Sequence, residues 1–377
     1  MANSKAFLKL TSCLVIACVC LTAQAQENPE AIQPDARLSQ RINELSFRCY
    51  GGFLMAHRPS MVYLQNAHSA SIEIDYLWRC SGSASWHKAY RFPSVGVSYR
   101  LTSFGNPDLV GDGHSISVAT EFPLSSGTKF SIRTRGSFGI GWIERPFDVR
   151  DNYKNLAAGS HLNGVVGFGI SGGIHIGKSS TLNTGIHFLH FSNGSARTPN
   201  LGLNVPSLSI SYTRIFSRTL SSPRTLQGPA DFSHNNLYLA TGIKEIYPPS
   251  GKSYPVAVID YSRTYLRGKK GVLGCGLSFM YDSSLPTKVQ RENNSESNDQ
   301  SDAIRIGTYG SAGLRMGPWS ANLQVGLYLY NRVKSDGDVF NRLSLRHQRP
   351  NGLFYCINLK SHFGKADYIE WGIGKSF

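Results

Sequence analysis

The sequence predicts an all-β protein, a transmembrane antiparallel β-barrel of the bacterial outer membrane. Three observations predict it. The N-terminus has the form of an export signal. Hydrophobic residues then alternate with a period of two along nearly all of the remaining chain, with little helical periodicity. The last amphipathic strand stops on an aromatic residue, Phe377.

The export signal comes first. Lys5 and Lys9 supply a positive region, Leu10 to Thr22 is apolar, and Ala23-Gln24-Ala25 is a small-residue cleavage site before Gln26. A leader over 1–25, cleaved after Ala25, is therefore expected. Val15-Ile16-Ala17-Cys18 offers a competing reading as a lipoprotein box. Cys13, Cys18 and Cys20 leave with the leader, and Cys49, Cys80, Cys275 and Cys356 remain. Their spacing matches no metal site. Cys49 and Cys80 could pair in an oxidising compartment, but apolar strand positions are the simpler reading.

No stretch after the leader reaches the roughly 18 consecutive apolar residues of a membrane helix. Charged residues make up 17% of the chain, against 38 glycines, 18 tyrosines and 19 phenylalanines. That balance suits membrane strands, with aromatics at the interfaces and glycine where a packed lumen needs room. The formal net charge is +15. An exported chain does not meet nucleic acid, so the basic balance points to an anionic partner at the membrane, lipopolysaccharide.

The alternation supports each strand in turn. Val95, Val97, Tyr99 and Leu101 share one face, opposite Ser94, Gly96, Ser98 and Arg100. Val166, Phe168, Ile170, Ile174 and Ile176 alternate with Gly167, Gly169, Ser171, Gly173 and His175. Strands are expected over 46–57, 68–79, 94–105, 114–124, 128–144, 162–177, 180–193 and 206–216. A second set follows over 235–248, 253–267, 271–284, 303–317, 319–331, 339–348, 353–364 and 368–377. Residues 26–45 form a polar N-terminal segment with a short helix near Ala36 to Leu45. Residues 217–234 form a Ser/Pro/Arg-rich linker, and 285–302 a mobile polar loop. The domain organisation is thus 46–216, linker, and 235–377. One barrel of about 14–16 strands is the expected architecture, because only the second half ends on an assembly-type aromatic strand. Two eight-stranded barrels in tandem are the alternative. Such a terminus implies the barrel assembly machinery as a partner during insertion.

The chemical signal lies on strand 180–193. Period two puts Ile186, Phe188, His190 and Ser192 on one face and Gly185, His187, Leu189 and Phe191 on the other. A serine hydroxyl needs a base at neutral pH, and an imidazole two residues away on the same face can approach it. The face continues an apolar, lipid-contacting stripe, which suits a substrate lying in the membrane. Two other patterns are set aside. Gly169-Ile170-Ser171-Gly172-Gly173 has the spacing of a nucleophile elbow but lies within a strand rather than a strand–turn–helix. His187 faces the lumen. Asp260 and Glu370 read as isolated strand residues, and no cofactor or metal is implied.

His190-Phe191-Ser192-Asn193, followed by Pro199-Asn200-Leu201-Gly202 and the strand Ser207 to Phe216, resembles the lipid A 3-O-deacylases of the PagL type, the acyloxyacyl hydrolase-like barrels. The resemblance covers roughly 46–216. The second half, especially Lys360 to Trp371, looks like the extension of longer relatives. The resemblance implies an outer-membrane serine esterase that removes the ester-linked 3-O acyl chain of lipid A, with its site on the membrane-facing wall. It implies Ser192 as nucleophile and His190 as general base, with Asn193 and main-chain amides near Gly194 and Ser195 holding the oxyanion. Arg197 is a candidate contact for lipid A phosphates. The family's third catalytic member is a glutamate, and the matching position here is Asn204. Aspartate and glutamate are absent between Asp151 and Asp231, so no acid nearby in the chain replaces it. Asn204 can orient His190 by a hydrogen bond, as Asn does in papain-like proteases, but cannot stabilise imidazolium by charge. A non-enzymatic barrel, either a pore or a structural protein, is the alternative function. An esterase acting on another outer-leaflet lipid is a further one.

Overall fold

The computed structural model describes residues 39–82, 84–221, 233–294 and 299–377. The expected leader lies outside these residues, as do 26–38 of the polar segment and 222–232 of the linker. The described strands form two closed antiparallel barrels of eight strands each.

The first barrel runs β1 (Ser39–Phe53), β2 (His68–Arg79), β3 (Ser94–Ser103), β4 (Asp112–Ser126), β5 (Phe130–Ile143), β6 (Leu162–Ile176), β7 (Ser180–Ser192) and β8 (Leu203–Ser221). It closes by pairing β1 with β8, Ser39 opposite Ser221 through Gly52 opposite Ser207. The second runs β9 (Ser233–Lys244), β10 (Tyr254–Arg267), β11 (Gly271–Asp282), β12 (Ile304–Met316), β13 (Trp319–Tyr330), β14 (Val339–Gln348), β15 (Leu353–His362) and β16 (Lys365–Ser376). It closes β16 onto β9, Ile369 opposite Ile243 through Ser376 opposite Asn236. The expected single barrel of 14–16 strands is therefore corrected to the two-barrel alternative. Alternation fixes which face a residue takes but not which edges meet.

Two local expectations are corrected as well. From Ser39 to Leu45 the chain is strand, not helix. Glu44 is buried there and takes an ion pair from Arg79 at 2.5 Å and another from Arg133 at 3.5 Å. The stretch read as a mobile loop contains a helix, Leu285–Asn293, whose Leu285 and Val289 pack on Val333. Those two residues lie four apart, a helical spacing. Cys49 and Cys80 are free thiols.

Both lumens are filled by side chains, as the narrow interior of eight strands dictates. In the first, Arg135 bridges Asp75 at 2.7 Å, Glu73 at 2.8 Å and Glu121 at 3.1 Å, and Arg48 joins Glu121 at 3.0 Å. Toward one end this gives way to an apolar cluster that includes Leu54, Phe104, Leu189 and Phe191. In the second, Arg342 joins Asp260 at 3.3 Å and Glu370 at 2.8 Å, and Tyr309 donates to Asp260 at 2.7 Å. Asp260 and Glu370, isolated in the sequence, thus share one guanidinium. A buried charge is tolerated only when paired, and these networks pair them. The outer walls are apolar, with Ile74, Val118, Ile186 and Leu208 on the first barrel and Leu239, Ile259, Leu277 and Trp371 on the second all exposed. No described helix is long and apolar enough to cross a membrane.

Candidate active site

The site lies on the outer wall of the first barrel, where β7 meets β8. β7 alternates as its sequence dictates. Leu189 and Phe191 are buried inside, where Phe191 packs edge-on against Phe104 with ring centroids 5.5 Å apart. This packing holds the strand from within and turns the intervening residues outward. Ile186 is 63% exposed, and Phe188, His190 and Ser192 continue the same face, half-buried.

Register supplies the next contact. His190 stands directly opposite Asn204 on β8, and Ser192 stands opposite Gly164 on β6. Gly164 has no side chain, so the wall beside the serine is low. His190 Nδ1 lies 2.7 Å from Asn204 Oδ1. An amide oxygen only accepts, so Nδ1 carries the proton and Nε2 keeps its lone pair. Nε2 is therefore the ring nitrogen left free to accept a proton.

The β7–β8 connection shapes the rest. Asn200 Nδ2 donates to Ser192 Oγ at 2.8 Å, and the main-chain N–H of Asn193 donates to Asn200 Oδ1 at 3.3 Å. The Asn193 side chain turns away and donates to Ser160 Oγ at 2.9 Å. The amide group beside the serine oxygen is thus that of Asn200. Gly194 and Ser195 both adopt positive φ, 62° and 68°. The segment Gly194–Thr198 is counted with the second unit, and there Arg197 Nη1 donates to the Gly251 carbonyl at 2.9 Å.

Gly202 is required where it stands. Its φ is +84°, and a Cβ there would lie 2.7 Å from His190 Cε1. The Gly202 N–H donates to the Ala157 carbonyl at 2.8 Å and that of Leu201 to Leu156 at 3.1 Å. The 144–161 loop that receives them is held by Asn155, fully buried, whose Nδ2 donates to the Arg145 and Leu109 carbonyls at 2.7 and 3.1 Å.

On the far side of Asn204 stands His57, in the connection after β1. Asn204 Nδ2 lies 2.9 Å from His57 Nδ1. Nothing in the local sequence marks His57, since 147 positions separate it from Asn204. Asn200, within the Pro199–Gly202 motif, joins the site through its contact with Ser192 Oγ. The two set-aside patterns are inside the barrel. His187 is 5% exposed and meets Tyr50 edge-on at 5.2 Å. Ser171 lines a cavity of about 360 Å³ at the opposite end of the barrel, with Arg79, Arg133 and His175.

Comparisons with known proteins bear on the two halves of the chain. Residues 70–213 match the family model for lipid A 3-O-deacylase (PagL), and residues 233–377 match that for the acyloxyacyl hydrolase C-terminal domain. No curated protein matches the chain. Among solved structures, the outer membrane enzyme PagL is similar at 16% identity, covering 45% of this chain and 99% of that one, with a TM-score of 0.30. Neisserial surface protein A (NspA) is similar at 10% identity, covering 47% and 97%, with a TM-score of 0.31. The chain belongs to the PagL family of outer-membrane lipid A deacylases, ester-hydrolysing β-barrel enzymes, in a long form that carries the acyloxyacyl hydrolase C-terminal domain.

Proposed function

We propose that the chain is a serine esterase that removes the ester-linked 3-O acyl chain of lipid A, with Ser192 as nucleophile, His190 as general base and Asn204 as its orienter. The observation that carries this is the cross-strand bond from His190 Nδ1 to Asn204 Oδ1, on the same outer wall as Ser192. It leaves His190 Nε2 to take the serine proton as Oγ attacks the ester carbonyl. The developing oxyanion is received by the Asn200 amide, now bonded to Ser192 Oγ, together with main-chain N–H groups of the Asn193–Gly194 turn. His190 then returns its proton to the departing sugar hydroxyl, and water releases the acyl group by the reverse sequence.

Position supports the substrate. Taken together, the connections at this end of the barrel, 54–67, 104–111, 144–161 and 193–202, are longer than those at the other, 80–93, 127–129 and 177–179. Longer loops mark the extracellular side of outer-membrane barrels, where lipid A resides. Ile186, Phe188, Pro206 and Leu208 run from the site into the wall as an apolar surface for an acyl chain. Arg197 has its contact with Gly251 and is not needed for this reading. Export by cleavage after Ala25 and insertion by the barrel assembly machinery complete the proposal.

Mass spectrometry of lipid A from cells with and without the protein tests it. Loss of one 3-linked acyl chain is expected with the intact chain. Ser192→Ala should abolish it, a fall of at least about 10³-fold as in serine triads. Lipid A left intact while another outer-leaflet lipid is cleaved would redirect the substrate assignment.

A further inference from the structure

A carboxylate offers an acceptor whichever way it turns, and an amide does not. Turning the Asn204 amide over would bring its NH₂ group to His190 Nδ1. That nitrogen would then have to accept, the proton would sit on Nε2, and no lone pair would face Ser192. A misassigned tautomer of this kind is the reason that Asp→Asn in a serine-protease triad costs about 10⁴ in kcat. A second partner for Asn204 resolves the ambiguity.

That partner is His57, 2.9 Å from Asn204 Nδ2. The amide nitrogen only donates, so His57 Nδ1 must hold a lone pair. Burial, helped by the adjacent Arg58 guanidinium, pushes its pKa below the ordinary imidazole value, which keeps the ring neutral. The titratable group across Asn204 is His190 itself. The Met55 N–H donates to the Asn204 carbonyl at 2.8 Å and ties the segment bearing His57 to β8.

We propose that His57 is a positioning residue: by accepting from Asn204 Nδ2 it fixes the amide with its oxygen toward His190, and so sets the imidazole tautomer that leaves Nε2 as the base. This rests on the esterase reading above. An acceptor from the β1 connection thereby does for asparagine what charge does for the family's glutamate.

The test uses the full-length chain in detergent micelles with ¹⁵N-labelled histidine, His190 being assigned by the signal lost in His190→Gln. The wild type should show a protonated Nδ1 and a bare Nε2 at His190. His57→Phe should let the Asn204 amide turn over and move the His190 proton largely to Nε2, lowering kcat on purified lipid A by roughly 10- to 100-fold at nearly constant KM as the base-competent tautomer falls to about 1–10% of the population. His57→Gln, whose amide oxygen can accept the same bond, should retain the tautomer and most of the rate. In an Asn204→Asp background, where no orientation needs fixing, His57→Phe should change kcat by less than about twofold. An unchanged His190 tautomer in His57→Phe overturns the proposal, and so does an equal loss in both backgrounds. If the wild type leaves lipid A intact, the esterase reading fails while the tautomer still decides the role of His57.

Discussion

At the scale of single residues, Gly202 controls the geometry of the proposed site without taking part in its chemistry. Its positive φ disfavours any side chain, at a cost of about 1–3 kcal/mol, and the added Cβ would strike the His190 ring. Gly202→Ala should therefore displace the imidazole while the barrel still forms. The expected outcome is a fall in kcat of roughly 10- to 100-fold, the scale of a displacement of about 1 Å, with KM little altered. Steady-state kinetics on purified lipid A, beside a thermal unfolding profile that shows the barrel still cooperatively folded, checks it. Unaltered kcat would show that His190 can give way. His190 and Ser192 were legible in the sequence because both follow from a two-residue period on one strand. Asn204 was legible through its place after the Pro199–Gly202 motif. His57 was not, because hydrogen-bond partners across a sheet leave no mark in local composition.

At the scale of elements, the helix Leu285–Asn293 and the turn Lys334–Asp336 are pinned by charge as well as by Leu285, Val289 and Val333. Lys288 lies 2.9 Å and Arg305 2.5 Å from Asp336. Burial by itself would raise the Asp336 pKa, but Lys288 and Arg305 more than offset it and hold the carboxyl well below the usual range. The folded-state pKa is depressed, so the stabilisation is present above the unfolded value of about 3.9 and is lost as pH falls below it. Asp336→Asn should therefore destabilise the second barrel near neutral pH and match the wild type once the solution is well below pH ~4. Urea midpoints across pH measure this, and a difference that persists into strong acid would contradict the account. The sequence concealed this helix because 285–302 is rich in polar residues. Composition outweighed the single apolar pair that marked a helical turn.

At the scale of the whole molecule, each barrel closes on its own first strand and fills its own lumen. Denaturant unfolding should accordingly show two transitions. Trp78, Trp86 and Trp142 report on the first barrel, and Trp319 and Trp371 on the second. Arg342→Met leaves Asp260 and Glu370 without their shared cation, and breaking a buried ion pair from one side costs about 3–5 kcal/mol. It should lower the second transition and leave the first in place. One transition that shifts as a unit would contradict separate closure. The ionic networks also argue against a pore. Planar-bilayer recording should find no steady conductance, because Arg48, Arg135 and Arg342 with their carboxylates occupy the space an aqueous channel needs.

The sequence by itself determined the strand class, the sixteen-strand order and the inward or outward direction of nearly every residue discussed, including the outward His190 and Ser192. Those are properties of a period, and a period is carried by neighbours in the chain. The tertiary structure decided the rest. Which edges meet made two barrels of what alternation allowed to be one. Which residues stand opposite across β7 and β8 joined His190 to Asn204, and the path after β1 brought His57 to the other side of that amide. Pairing between strands is set by register and closure, which no single strand encodes.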